Sequence, residues 1–370
     1  MANPATGWKI SRAAGVVALL LCVLLINHGI SACLVCIVPY RSLLDRVELS
    51  DRVFIGRAVD ESRVTWQVEQ GIKGIVATTP AQLITIDPSK SKNVQPGELH
   101  LLRYSPLDET WIIEKPVDGE LTGFLSRALW FADSLNEDAS VRDQAQYYRY
   151  FLPYLEHDNP AIADSAYNKL AAAPYNILQL VGAEADPGKL ISWIEKPHIA
   201  KNRGSLYITM LGICGGQNEL AQLQQWLDQR WNGNSSSHLA PILTAHAELN
   251  GEETLCFIEE SYFLSRERTL GEIIAAVDAL RLHGSADSNI GRERVLASFH
   301  LLLRERPQLL ELIIDDCKQW EDWSIAPQLA EIYLSDKQPW NNQMIVDFMR
   351  DCPEPAAKQF LVTIAADADD

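Results

Sequence analysis

The residues of this chain best placed to do chemistry are two cysteines three positions apart, Cys33 and Cys36, in the run Cys33-Leu34-Val35-Cys36-Ile37-Val38-Pro39. Two thiols at that spacing can close a small disulfide, or supply two soft ligands of a four-ligand metal set. Covalent haem would need a histidine directly after the pair, and residue 37 is isoleucine. No second Cys-x-x-Cys completes a zinc site, so the sequence names no metal. Cys33 has a further route open to it. It follows Ile30-Ser31-Ala32, the pattern of a bacterial lipobox, in which the cysteine is acylated and becomes the first residue. Cys33 and Cys36 are therefore candidates for a disulfide or a packing role, for lipidation at Cys33, and for metal contact.

Other constellations of catalytic residues are missing. There is no G-x-S-x-G to make a nucleophile elbow, no H-E-x-x-H, and the eight histidines are scattered. The stretch from Gly182 to Lys189 superficially resembles a phosphate loop, but its glycine spacing is one residue too long and Leu190 stands where Ser or Thr is needed. Gly212-Ile213-Cys214-Gly215-Gly216 follows a helical pattern rather than a strand and reads as a helix-ending turn. The carboxylate pairs Asp315-Asp316, Glu259-Glu260 and Glu252-Glu253 read as solvated charge on helix faces or ends. Cys214, Cys256, Cys317 and Cys352 sit in apolar, helix-like contexts and read as small buried hydrophobes. Trp226, Trp231, Trp320, Trp323 and Trp340 read as helix packing, with an exposed share free to line a concave binding face. Asn234-Ser235-Ser236 matches a glycosylation acceptor, relevant only in a eukaryotic host. No enzyme activity and no cofactor are expected.

The elements that must hold these residues begin with an export signal. Lys9 and Arg12 precede an uncharged run at 13–26, of the length of a signal h-region and short for a membrane span. Asn27-His28-Gly29 breaks the run and Ala32 suits cleavage. Residues 1–32 are thus expected to be a signal peptide, with lipidation at Cys33 and an uncleaved anchor as the alternatives, and the rest of the chain to work in the periplasm or cell envelope, or secreted. Formal charge is −17, and losing Lys9 and Arg12, the only charges before Cys33, takes the remainder to about −19. A chain this acidic is repelled by phosphate backbones and anionic lipid, so neither nucleic acid nor a membrane surface is an expected partner beyond a lipid anchor or uncleaved signal.

Downstream of the signal the chain shows two hydrophobic periods. Between about 37 and 125, five short β-rich runs at 53–59, 64–70, 83–88, 98–104 and 111–115 are separated by Gly, Pro and acidic turns. They predict a small barrel or sandwich, preceded by a short helix at 42–49. From about 135 onward the period is helical, with helical stretches at 141–155 and 161–172, the second opened by Asn159-Pro160, and further helices expected at 187–195 (opened by Asp186-Pro187), 201–213, 217–230, 239–249, 252–263, 269–283, 290–303, 307–316, 324–334, 341–350 and 355–364. Gly215-Gly216, Asn250-Gly251 and His283-Gly284 are expected to stop helices where a left-handed residue is needed. Segments around Ala166-Tyr167, Leu206-Tyr207, His246-Ala247 and Ala279-Leu280 recur at roughly forty residues, then at a shorter step. Two helices per unit at that period is the pattern of a HEAT-type solenoid.

Three stretches carry a resemblance to a family of exported bacterial proteins of unknown function. They are the Cys33–Pro39 motif, the strand Asp51-Arg52-Val53-Phe54-Ile55-Gly56-Arg57-Ala58-Val59, and the join from Tyr148 through Pro153 to Asn159-Pro160 and Tyr167. The resemblance implies HEAT-like repeats and no established activity. The N-terminal part is also similar to netrin-like and metalloproteinase-inhibitor modules, OB-type barrels that open on a cysteine motif, a helix and a D-x-V-F-x-G strand. Those modules use Cys-x-Cys with further cysteines in the same domain, whereas here the spacing is Cys-x-x-Cys and the next cysteine is Cys214. The expected architecture is α+β: a signal at 1–32, an OB-like β-barrel at 33–128 and a HEAT-like helical solenoid at 135–370. The expected function is non-catalytic protein–protein interaction or scaffolding in the cell envelope; the alternative is a metalloprotease inhibitor acting through a free Cys33 amine.

Overall fold

The computed structural model describes residues 35–36, 40–74, 82–90, 94–95, 97–106, 109–136, 138–228, 238–285, 288–335 and 339–367. The expected signal at 1–32, Cys33, Trp231 and Asn234-Ser235-Ser236 lie outside the described residues.

Strands β1 (Val53–Ala58), β2 (Thr65–Lys73), β3 (Leu83–Thr85), β4 (His100–Ser105) and β5 (Thr110–Pro116) fall on the five β-rich runs. They make one antiparallel sheet in the order β3-β2-β1-β4-β5. Three consecutive strands with the fourth returned beside the first is the Greek-key order. The sheet curls into a half-barrel. The sheet is thus a half-barrel in place of the small barrel or sandwich expected: among the described residues β3 and β5 are edge strands. Alternation sends β1 side chains to two cores. Phe54 and Ala58 pack with Trp66, Ile84 and Leu102 inside the curl, while Val53 and Ile55 face the helices.

The sheet is fastened to the helical part by α1 (Leu43–Glu48), which a Ser42–Asp45 capping box starts. After β5 comes α2 (Gly119–Ser134), N-capped by Asp118. The sequence pattern does not predict this helix. Its glycines at 119 and 123 weaken its local signal, and the stripe Leu121, Phe124, Leu125, Ala128 and Leu129 buried against the main core supplies the missing stability.

The remaining helices are α3 (Val141–Arg149), α4 (Pro160–Ala171), α5 (Tyr175–Gly182), α6 (Pro187–Ile194), α7 (Pro197–Cys214), α8 (Gln217–Asp228), α9 (Leu239–Asn250), α10 (Glu252–Ile258), α11 (Leu270–Ser285), α12 (Arg292–Glu305), α13 (Ile314–Gln319), α14 (Ala326–Leu334), α15 (Asn342–Asp351) and α16 (Pro355–Asp367). Asn159 and Asp186 cap α4 and α6 with proline in the first turn, as their sequences require. The four recurring segments fall in α4, α7, α9 and α11, and these helices pack one against the next. Arg281 carries the series on to α13 through Asp316, and α13 packs on α15. The array is therefore solenoid-like, with a row of inner helices. Three local forms differ from the plain helices expected: 141–155 divides into α3 and a 3-10 turn, Leu152–Tyr154, that carries Pro153; α10 continues as a π-turn, Glu259–Leu264; and 307–316 divides into a 3-10 segment, Pro307–Leu312, and α13.

One core runs from Val35 and the sheet through α1 to α9 and reaches Leu282 of α11. A second fills the array from Leu239 to Phe360. Between inner helices the backbones come close. A β-carbon on Gly212 would lie 2.7 Å from Ala245 Cβ, and one on Gly284 would lie 2.5 Å from the Trp320 ring. The stop expected at Gly284 is thus a close-packing glycine near the end of α11, and Gly215 ends α7 in an extended conformation; of the three expected stops only Gly251, at φ +61°, is left-handed. Replacing Gly212 by Ala is expected to cost about 2 kcal/mol through overpacking, measurable as a lowered denaturant midpoint with unchanged m-value.

Three histidines sit in this row. His246 meets Thr254 Oγ1 at 2.8 Å and Gln224 Oε1 at 3.1 Å. His283 Nε2 donates to the Thr244 carbonyl at 3.2 Å, and His238 Nε2 to that of Ala200 at 2.9 Å. Burial pushes all three below the ordinary value of 6.5; the bonds to Thr244 and Ala200, and Glu248 beside His283, oppose it less strongly. A depressed folded pKa means that the unfolded chain holds the proton more tightly, so this contribution is complete above about pH 6.5 and is lost as the pH falls through that value. The Tm is expected to drop between about pH 7 and about pH 5, and replacing His246 with Gln should flatten the decline in a calorimetric pH series.

Candidate functional site

The segment between α3 and α4 turns sharply. Pro153 sits in a 3-10 turn, Leu152–Tyr154, after which Glu156 takes a left-handed φ of +55°. That conformation is costly for a residue with a β-carbon. It is held by side-chain chemistry: Arg203 Nη1 donates to Glu156 Oε1 at 2.5 Å, and the Tyr207 hydroxyl donates to the same oxygen at 2.6 Å. Arg203 also binds Asp164. Burial, reinforced by Glu156, pushes the Tyr207 hydroxyl far above its ordinary range and keeps it a donor.

Outside this network lies a cleft of about 660 Å³. Leu152, Pro153 and Leu155 form one wall, and Leu190 and Trp193 of α6 form the other. The Trp193 ring leans on Tyr207 at 5.1 Å, so the aromatic wall stands on the residue that anchors Glu156. The rim is charged. Arg149 Nε binds both oxygens of Glu184, at 2.7 and 2.9 Å, across the mouth. Asp186 is engaged in the α6 cap through the Gly188 and Lys189 amides, and the Lys189 ammonium stands at the rim. A second hollow, of about 650 Å³, opens beside β5 and is mostly polar, with His100, Glu98 and Glu114 among its walls.

Of the cysteine motif, residues 35 and 36 are described. Val35 is buried in the main core and Cys36 is half-buried. Cys36 is disulfide-bonded, its partner lies outside the described residues, and its sulfur is 3.9 Å from Thr209 Oγ1 of α7. Nearby, Asn168 of α4 donates to the Tyr40 carbonyl at 2.6 Å and to Asp45 at 3.0 Å. Lys169 closes on Asp45 at 3.1 Å and on Glu48. Burial works against the Asp45 carboxylate, but hydrogen bonds from Asn168 and Ser42, with the Lys169 charge, outweigh it and hold its pKa down at about 2. Among the described residues no three His, Cys, Asp or Glu side chains gather as a metal site, and no helix is long and apolar enough to cross a membrane.

The remaining sequence-derived candidates separate. Cys214, Cys256, Cys317 and Cys352 are free; Cys317 and Cys352 are buried as expected, but Cys214 is only half-buried and Cys256 is exposed, its sulfur meeting Arg294 Nη2 at 3.6 Å. Two of the carboxylates expected to be solvated charge are not. Asp316 is 8% exposed and bound by Arg281, and Glu259 accepts from Arg294 and Ser298 at 2.6 Å each. Trp226, Trp320 and Trp323 pack between helices, whereas Trp340 is 64% exposed. The cleft residues Leu152, Leu155, Leu190 and Trp193 do not stand out in the sequence. Pro153 and the Asp186-Pro187 start are visible signals, but nothing local says that the two segments face each other. No protein-family model, curated protein or solved structure matches this chain.

Removing Arg203 leaves Glu156 and Asp164 as part-buried carboxylates without their cation and frees the left-handed turn. Arg203→Met is expected to lower stability by about 3 kcal/mol, and to increase amide exchange at 152–158 beyond that at β1, as hydrogen–deuterium exchange would reveal.

Proposed function

We propose that this protein is a non-catalytic docking scaffold, exported to the cell envelope, whose HEAT-like array receives a protein partner. The observation that carries the reading is the cleft beside α6: aliphatic side chains and one tryptophan line it together with charged residues, the composition of a hot-spot pocket. Charge complementarity defines the occupant. With a formal charge of −17, the chain attracts a basic protein and repels an acidic one. The partner is therefore a basic protein that inserts an aliphatic or aromatic side chain against Trp193. The Greek-key strand order supports the likeness of the half-barrel to OB-type modules, and the row of inner helices supports the HEAT-like reading.

The inhibitor alternative needs residues around Cys33 to project freely into a partner's metal site. Val35 is 5% exposed, and Cys36 is held against α7, which favours a segment bound to its own array.

The full chain, used as bait in envelope extract, is expected to capture a basic protein. Binding of that protein, measured by titration calorimetry, should weaken roughly ten-fold or more with Trp193→Ala, weaken with added salt, and remain unchanged with Val362→Ala, a substitution far along the array. Capture of nothing, or equal affinity for the Trp193→Ala chain whose circular dichroism shows it folded, would overturn the proposal.

A further inference from the structure

Five part-buried arginines of this protein share a pattern. Arg103 pairs with Glu114, Arg203 with Glu156 and Asp164, Arg268 with Glu272, Arg281 with Asp278 and Asp316, and Arg294 with Glu259. Arg306, just past α12, breaks it. At 7% exposure it is the one arginine among the buried polar residues described, and it makes no ion pair with a described carboxylate. Its Nε donates to the Phe263 carbonyl at 2.9 Å and its Nη2 to that of Ser265, closing the π-turn after α10.

A second guanidinium stands beside it. Arg266, exposed, donates to the Glu305 carbonyl at 3.2 Å, so the two turns are cross-linked reciprocally by two cations through backbone oxygens alone. The nearby acids are engaged or turned elsewhere. Glu305 lies 3.5 Å from Arg304 and Glu272 binds Arg268, while Glu267 is exposed and contacts Ser265 only through its amide. Burial and the Arg266 charge both press the Arg306 guanidinium downward from its ordinary pKa.

A guanidinium has five N–H donors, and two of those on Arg306 are occupied. Among the described residues nothing accepts from Nη1 or from the second hydrogen of Nη2, which leaves an end-on fork of the geometry that takes two oxygens of one anion. We propose that Arg306 and Arg266 form a binding site for a single oxyanion group, a carboxylate or a phosphate. The site is independent of the cleft at Trp193. The oxyanion supplies the counter-charge that Arg103, Arg203, Arg268, Arg281 and Arg294 receive from this chain's own acids. Leu264, 43% exposed between the two carbonyls that hold Arg306, gives the site an aliphatic flank.

The test uses the full chain at constant ionic strength, with sodium phosphate and sodium acetate each titrated in exchange for sodium chloride. A saturable rise of Tm over the chloride reference is expected with at least one of them. Arg266→Gln, at an exposed position where folding is secure, should weaken the response about ten-fold. A rise with phosphate alone assigns a phosphate group, and a rise with acetate alone or with both assigns a carboxylate-sized oxyanion. No saturable rise with either, or the same rise in the Arg266→Gln chain, would overturn the site. Cleft binding measured with Trp193→Ala is unaffected by either result, so the two readings fail separately.

Discussion

The inner helices α7 and α9 touch almost backbone to backbone, and the rest of the array is arranged around close packing of that kind. At Gly212 and Gly284 there is no room for a methyl group, because Ala245 and the Trp320 ring already occupy it. Packing at this distance fixes the offset of each helix against the next, since interiors are too dense to slide by fractions of a side chain. The outer helices then have only a few ways to cover the row. The same closeness explains why α7 and α9 are buried nearly all round, with Leu206 to Gly212 and Leu239 to Ala247 largely inaccessible.

Several of the polar groups inside such a row bond from one helix to the next. The Tyr175 hydroxyl and Gln179 amide of α5 both donate to Glu248 of α9 at 2.9 Å, and His283 of α11 donates to the Thr244 carbonyl. Arg281 spans from α11 to Asp316 on α13. Each bond is lost if one unit shifts against the next, so these bonds specify register more than they add net stability. The half-barrel is held to the array in the same manner, by Lys169 and Asn168 of α4 reaching Asp45 and Glu48 beside the sheet.

The cleft is a by-product of one joint in this row. A proline-bearing 3-10 turn, a left-handed glutamate and the start of α6 leave a hollow that no side chain fills. The adjoining polar network, Arg203 with Glu156, Asp164 and Tyr207, ties the turn that lines it to α7. An apolar recess with a charged rim, tied in this way, costs little ordering when a partner binds, which is the physical basis for reading it as a docking pocket.

What the sequence determined by itself was the type and order of elements. The β-rich runs at 53–59 and 98–104, the capped starts at Asn159-Pro160 and Asp186-Pro187, and the forty-residue recurrence through Ala166, Leu206 and His246 all became strands, helix starts and inner helices. These are local properties: hydrophobic period, caps and breakers act within a turn or two. Tertiary structure decided the rest. It left the sheet a half-barrel edged by β3 and β5, stabilised α2 despite its glycines, and turned Asp316 and Glu259 from surface charges into ion-pair partners. It also brought Leu152 to within one cleft of Trp193, some forty residues on. Each of these outcomes depends on which face meets which neighbour across long sequence distance, and a single chain's periodicity carries the face but not the neighbour.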